Sequence, residues 1–325
     1  MLETIQSLQS FNKIKLLSDP RRMEILRLLM ASPATLSQLA HSLRRSPAWI
    51  RHHMKTLESA ELVELIEIRK TGRVTEKYYR AKAGAYLVQQ MILPKTKTPT
   101  VLFSGSHDLA IEEIGKYLAK HLLFLSLPVG SLDGLVNLRQ GLCQVSGAHL
   151  LDENGEYNTA YVRRFFPDRE MDLVTLAYRT QGLMVSPGNP KRIKRFADLV
   201  RSNVRFVNRN AGSGTRLWFD AELKKTGEAP ADIRGYDRIV STHTEAAILI
   251  EAGRADAAIG LQAAAHQHGL DFVPLFEERY DLVLAHDHEK ALSAILDHIQ
   301  GLNFRRSLDA LTGYNPAHSG EIIYI

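Results

Sequence analysis

Cysteine is nearly missing from this chain: Cys143 stands alone among 325 residues. No intramolecular disulfide can form, and no cysteine-based zinc or iron–sulfur site is available. No apolar run approaches the roughly 20 residues of a membrane span, and residues 1–4, Met-Leu-Glu-Thr, lack the basic and apolar stretches of a secretory signal. Together these absences set the expectation of a cytoplasmic protein with no membrane role. Also absent are a G-x-S-x-G elbow, a P-loop lysine motif and H-E-x-x-H, so nothing points directly to a hydrolase, a nucleotide-binding enzyme or a zinc protease. Ser106-His107-Asp108 offers three triad residue types, but neighbours at one turn cannot form a triad by themselves. The expectation is no enzyme, no metal site and no cofactor. Acid–base work by His107 and His149 across a cleft is the competing reading.

What is present is an uneven charge. Residues 1–95 hold 16 Lys and Arg against 8 Asp and Glu, net +8; the remainder holds 25 against 28, net −3. A basic front third suggests a nucleic-acid contact confined to that region.

The periodicity of the front third supports this. Ile5, Leu8, Phe11, Ile14 and Leu17 repeat at helical spacing, which predicts a helix over 2–17. Ser18-Asp19-Pro20 stops it and caps a second helix over 21–30. Thr35 caps a short helix, and Ser46-Pro47 opens a fourth over 48–60, with Ile50, Met54 and Leu57 inward. Residues 62–68 and 74–79 read as strands around a cationic glycine turn, 69–73. Helix, short helix, turn, helix and basic hairpin is the winged helix-turn-helix plan. The segments Leu17-Ser18-Asp19-Pro20-Arg21-Arg22-Met23-Glu24-Ile25-Leu26 and His52-His53-Met54-Lys55-Thr56-Leu57 resemble the ArsR-type winged-helix family. That resemblance implies a double-stranded DNA operator as partner and a homodimer. Its expected contacts are Arg44, Arg45, Ser46, Trp49, Arg51, His52 and Lys55 on the recognition helix, and Arg69, Lys70 and Arg73 on the wing. The helices over 2–17 and 86–93 are candidate dimer surfaces. Without the family's cysteine pairs, metal sensing by this part is not expected.

A linker is expected over 94–100, Pro-Lys-Thr-Lys-Thr-Pro-Thr. Beyond it, strand, polar glycine turn and helix alternate, the signature of an α/β fold with crossover helices. Ligands of such sheets gather where the turns gather, beyond the strand ends. The most informative stretch runs Val207-Asn208-Arg209-Asn210-Ala211-Gly212-Ser213-Gly214-Thr215-Arg216. It predicts a strand, a turn and a helix start, whose free N–H groups and dipole favour an anion, helped by Arg209 and Arg216. An ordinary strand-to-helix turn with surface arginines has the same pattern.

With Gly105-Ser106-His107-Asp108, Gly130-Ser131-Leu132-Asp133-Gly134-Leu135, Gly155-Glu156-Tyr157-Asn158 and Gly253-Arg254-Ala255-Asp256, this stretch resembles the type II periplasmic-binding-protein fold, notably the molybdate-binding subfamily often fused to a helix-turn-helix. The resemblance covers essentially the whole second part. It implies a winged helix-turn-helix domain (1–93), a linker (94–100) and a two-lobed binding domain (101–325), with lobe one at about 101–180 and 268–325 and lobe two at about 181–267. The implied function is a ligand-responsive transcriptional regulator sensing a small anion, molybdate or tungstate first. A larger anion, phosphorylated or related to molybdenum cofactor, is the alternative. The expected ligand-binding residues are Ser106, His107, Ser131, Asp133, His149, Arg209, Gly212, Ser213, Gly214, Thr215, Arg216, His243, Thr244 and Tyr280.

Overall fold

In the computed structural model, residues 5–8, 10–72, 74–88, 90–288 and 290–325 are described, and the chain divides into two compact units, Met1–Ile92 and Leu93–Ile325. Among the described residues no helix is long and apolar enough to cross a membrane.

The first unit begins with strand β1 (Ile5–Leu8) and helices α1 (Phe11–Leu17), α2 (Pro20–Ala31), α3 (Leu36–Ser42) and α4 (Pro47–Ser59). The hairpin β2 (Val63–Thr71) and β3 (Val74–Ala81) follows, then β4 (Ala85–Val88). Its caps are those that the residue types demand. Asp19 accepts from the N–H of Arg21, Thr35 and Gln38 form a reciprocal capping box, and Ser46 accepts from Trp49. Ile25, Leu26, Leu29, Leu39, Ile50 and Leu57 close one core beneath them.

Two expectations fail here. Of the helix expected over 2–17, residues 2–4 lie outside the described residues; 5–8 form a strand, and helix begins only at Phe11. The helix expected over 86–93 is absent, because β4 pairs in parallel with β1 from Ile5↔Ala85 to Leu8↔Val88. Backbone pairing across 80 residues overrides the local period. The wing strands also run farther than expected: Arg69 and Lys70 lie on β2, and of the expected turn 69–73 only Gly72 lies outside a strand among the described residues.

The second unit opens with β5 (Thr100–Gly105), α5 (Leu109–Leu118), β6 (Leu123–Pro128), α6 (Ser131–Arg139), β7 (Val145–Ala148), α7 (Thr159–Phe165) and the long β8 (Met171–Val185). It continues with β9 (Phe206–Arg209), α8 (Gly214–Thr226), β10 (Ile239–Val240), α9 (His243–Glu251), β11 (Ala257–Leu261), α10 (Gln262–Gln267) and the long β12 (Asp271–Ala285). Helices α11 (Lys290–Gln300) and α12 (Leu302–Asp309) and the short strands β13 (Tyr314–Asn315) and β14 (Ile322–Tyr324) complete it.

The strands form one mixed sheet in the order β10-β9-β11-β8-β12-β7-β5-β6, with β13 and β14 also on β8. β5, β6 and β7 run parallel, as do β9, β10 and β11. The antiparallel pair β8 and β12 passes through both halves. These two 15-residue strands are the crossover between lobes. β12 carries register shifts at Pro274/Phe276 and Tyr280/Asp281. Leu183, Val204, Phe206, Phe219 and Ile259 fill the second lobe, and Leu102, Leu135, Val162, Leu173 and Val283 fill one face of the first.

Candidate functional site

Where β8 and β12 cross between the lobes, the sheet buries charge instead of hydrocarbon. Arg179, on β8, has no solvent exposure and pairs with two carboxylates, Asp108 before α5 and Glu278 on β12. Glu278 Oε1 accepts from Arg179 Nε (2.8 Å) and from Gln181 Nε2 (2.6 Å). Its Oε2 lies 2.7 Å from His149 Nδ1, and His149 Nε2 lies 2.8 Å from Ser106 Oγ. Tyr314 donates to Asp108 (2.7 Å), and Tyr280 donates to the Ser106 carbonyl (2.6 Å). Despite its burial Glu278 is held at about 2, because His149 and Arg179 stand beside it. Burial pushes His149 down, against the pull of Glu278.

Beside this charge-paired network, in which Arg179 Nη2 has an ion-pair contact to Glu278 (2.7 Å) but no hydrogen bond, lies a less satisfied one. Arg209, at the end of β9, is 1% exposed and donates from Nη2 to the Ser241 carbonyl (2.9 Å), while Nε and Nη1 have no partner. Both ring nitrogens of fully buried His243 are unpartnered, as are His107 Nδ1 and Thr244 Oγ1. The His107 and His243 rings are 6.1 Å apart, centre to centre. Burial, with Arg179 nearby, lowers Arg209 to about 10, and burial, with Arg209 and Arg179 nearby, drives His243 far down. Buried donors without acceptors are costly, and a lone buried cation more so. An incoming anion would satisfy both.

The turn before α8 clamps the lobes together. Leu132 N–H donates to the Gly212 carbonyl (3.2 Å), and Asn210 Nδ2 donates to the Val129 carbonyl (2.5 Å). A Cβ on Gly214 would stand 2.5 Å from His149 Nδ1, so only glycine lets α8 approach this closely.

Several of the expected contact residues already have partners within the protein. Ser213 Oγ is consumed as the α8 cap, donating to Asn210 O (2.9 Å) and accepting from Arg216 N–H (3.2 Å). Thr215 Oγ1 is bracketed by the Gln181 amide. Arg216 reaches along α8 to Asp220 (2.9 Å), lies 4.2 Å over the Tyr236 ring and donates from Nη1 to the Arg209 carbonyl (3.3 Å). Asp133 is exposed on α6, facing Gly212. Ser131 is buried, and its Oγ accepts from His149 N–H (3.3 Å). Ser106, His107, His149, Arg209, His243 and Tyr280 converge, and Thr244 follows His243 with its hydroxyl unpartnered. Asp108, Arg179, Gln181 and Glu278 complete the site. Arg179, Gln181 and Glu278 carry no turn signal in the sequence, sitting mid-strand.

In the first unit, α4 presents Arg51, His52 and Lys55 to solvent, with Arg44, Arg45 and Ser46 exposed just before it. Arg45 lies 5.5 Å from the Trp49 ring centre. Trp49 itself is half-buried, edge-on to buried His53 (4.4 Å), so it braces α4 more than it faces outward. On the wing Lys70 is exposed. Arg69 is tied to Glu67 (2.7 Å) and stacked on Tyr78 (4.7 Å), which dilutes its charge. Arg73 lies outside the described residues.

The family described as PBP superfamily domain matches residues 116–300, more than half of the sequence. This chain belongs to the PBP superfamily. Its front unit matches the bacterial regulatory protein, arsR family, over residues 19–64. The PBP-superfamily part is similar to the uncharacterized protein YvgK of Bacillus subtilis (strain 168), 37% identical over 228 residues, covering 69% of this chain and 74% of that protein. An uncharacterized protein encoded in the 5′ region of a Clostridium pasteurianum 2Fe-2S ferredoxin gene is 33% identical over 110 residues, covering 33% of this chain and 97% of that protein. Among solved structures, a phosphate ABC transporter substrate-binding protein from Clostridium perfringens with bound phosphate aligns with TM-score 0.50 and 13% identity, over 66% of this chain and 99% of that one. At that identity the likeness speaks for the PBP fold alone. Among the described residues no group of three or more His, Cys, Asp or Glu is placed to hold a metal ion.

Proposed function

We propose that this protein is a ligand-responsive transcriptional regulator, acting as a homodimer in the cytoplasm. Its winged helix binds operator DNA, and its PBP-type cleft senses a small anion without turning it over. The observation that carries the anion reading is Arg209: a buried guanidinium with two unpaired N–H groups, beside a histidine with both nitrogens unpaired. Arg179 does not serve this role, since Asp108 and Glu278 already neutralise it.

Molybdate and tungstate are the ions nominated by sequence resemblance, and Arg209 and His243 offer them donors. A larger phosphorylated anion is the second reading, favoured by the additional unpartnered atoms on His107 and Thr244. Closure of the two lobes around the anion is the switching motion, coupled to DNA affinity by a free energy of about 1–3 kcal/mol.

Calorimetric titration with molybdate, tungstate, sulfate and phosphate tests the sensor, alongside anisotropy of labelled duplex DNA with and without the ion that binds. Saturable binding that Arg209→Ala abolishes, together with a ligand-dependent change in DNA affinity, supports the proposal. Anion binding that survives Arg209→Ala rejects the site, and DNA affinity indifferent to bound anion rejects the regulator.

A further inference from the structure

Lobe two carries a charge that the binding unit as a whole conceals. Residues 181–267 hold 13 Lys and Arg against 9 Asp and Glu, while the rest of the chain beyond residue 95 holds 12 against 19. The sheet concentrates that excess at one end. β9, β10 and β11 run parallel, and β8 runs against β11 with Val185 opposite Ala257. Three strand starts and one strand finish therefore share the end of the lobe opposite to Arg209 and His243.

Arg205 directly precedes β9, Arg238 directly precedes β10, and Arg254 stands three residues ahead of β11. They meet there: Asp256 N–H donates to the Arg205 carbonyl (2.7 Å), and Arg238 Nη1 donates to the Arg254 carbonyl (2.7 Å). The loop after β8 adds Lys191, Arg192, Lys194, Arg195 and Arg201. Arg201 Nη2 donates to the Arg192 carbonyl (3.3 Å), and Asp256, held low chiefly by Arg205, also feels the charge of Lys191. Across 186–205, 232–238 and 253–256 the count is nine cations, seven of them arginine, against four aspartates. Two of those aspartates are already engaged, Asp198 by Arg195 and Arg201 and Asp256 by Arg205. Lys191, Arg192, Lys194, Arg234, Arg238 and Arg254 are in no ion pair among the described residues.

The loop is held on a fixed frame. Asn189 and Arg192 both take left-handed backbone, φ 41° and 51°. The Asn189 amide bonds both backbone groups of Ile193 (2.8 and 2.9 Å), and Asp198 Oδ2 accepts from the N–H groups of Lys194 (2.8 Å) and Arg195 (3.2 Å). Such strain persists only where the surroundings over-determine it. Ile239 is the one large apolar side chain exposed in these segments, whereas a protein interface centres on apolar contacts and a membrane takes up apolar anchors. Guanidinium forks match phosphate, and exposed Ser202 and Asn203 add neutral donors of the kind that contact a nucleic-acid backbone.

We propose that lobe two is a second DNA-binding surface, holding the phosphate backbone of double-stranded DNA at its end away from the anion cleft. The choice of DNA among polyanions rests on the regulator reading above.

The test titrates the full-length protein with a labelled random-sequence duplex of about 40 bp, from about 50 to 200 mM salt. Lys191→Ala/Lys194→Ala/Arg254→Ala removes three cations that no ion pair holds, and its melting temperature should match wild type. The log–log salt slope should fall by about 2–3, at about 0.9 per phosphate contact, and affinity at the lowest salt should drop at least about tenfold. Lys191→Arg/Lys194→Arg/Arg254→Lys keeps the charge and should keep the slope. Lys116→Ala/Lys120→Ala/Arg306→Ala takes the same charge from lobe one and should leave the slope unchanged. Equal losses from the two alanine triples assign the effect to net charge and overturn the proposal. A slope untouched by the lobe-two triple while Arg51→Ala still lowers it also overturns the proposal, and leaves the winged helix as the DNA module. Binding to vesicles of anionic phospholipid that the lobe-two triple abolishes, with the DNA slope intact, makes this face a membrane contact instead. No duplex binding by the wild type overturns both this surface and the regulator reading.

Discussion

Replacing Arg209 with methionine is expected to make the binding unit more stable and unable to bind its ligand. Burial holds the guanidinium at about 10 against an ordinary 12.5, so the folded state disfavours this charge by roughly 3 kcal/mol. The sign is that of a cation whose pKa is lowered by folding: the penalty is fully present at every pH below about 10 and fades only above it. Methionine keeps most of the buried volume and removes the charge. It also removes the hydrogen bond to the Ser241 carbonyl, a loss of about 1 kcal/mol. The net gain is about 2 kcal/mol, or roughly 4–8 °C in the melting temperature of a unit this size. Ligand binding loses two charge-assisted hydrogen bonds of about 1.5–3 kcal/mol each, enough to raise Kd more than about 100-fold. Thermal melts at pH 7.5, with and without millimolar phosphate or molybdate, read both effects at once. A variant that melts below wild type and is still stabilised by the anion would refute the reasoning.

Gly214→Ala places a methyl inside the His149 ring and is expected to hold the lobes apart, weakening anion affinity at least about tenfold while circular dichroism stays unchanged; unaltered affinity would show that the clamp is dispensable. Arg216→Ala removes the contacts to Asp220, Tyr236 and the Arg209 carbonyl and should cost about 1 kcal/mol of stability while moving ligand affinity by less than about threefold. A larger drop in affinity would return Arg216 to the site. Acid should destabilise the binding unit early. His149 and His243 are kept neutral by burial, whereas the unfolded chain protonates them below about 6.5, so stability falls with pH by up to about 1.4 kcal/mol per unit for each. Glu278 adds its loss between about 4.5 and 2, and a urea midpoint unchanged between pH 7.5 and 5.5 contradicts this. On the DNA side, Arg51→Ala and Lys55→Ala should each flatten the salt dependence of duplex binding by about 0.9 in log–log slope without touching anion affinity; an unchanged slope removes α4 from the interface.

The winged helix was legible because its signals are local. Asp19-Pro20, Thr35 and Ser46-Pro47 cap helices with atoms at most three residues away. Strand β1 was not legible. Ile5 and Leu8 fit a helical repeat that continues into α1, and the pairing with β4 that overrules it is 80 residues distant. The turns bearing Ser106, His149, Arg209 and His243 stand out as polar punctuation after apolar strands. What they do depends on partners that spacing cannot supply. Glu278 meets Arg179 across 99 residues and His149 across 129. Arg209 and Arg216, seven residues apart, look equivalent in sequence. One ends a strand inside the protein; the other, on the second residue after a helix begins, finds a carboxylate one turn along.

The register shift between Tyr280 and Asp281 falls in the strand that both lobes share. Glu278 and Tyr280, which hold His149 and Ser106, sit immediately on one side of it, and Asp281, bonded to Asn158 (2.8 Å), sits on the other. Were the lobes to rotate about this shift, as the proposed closure requires, the motion would pass directly into the residues that hold His149 and Ser106.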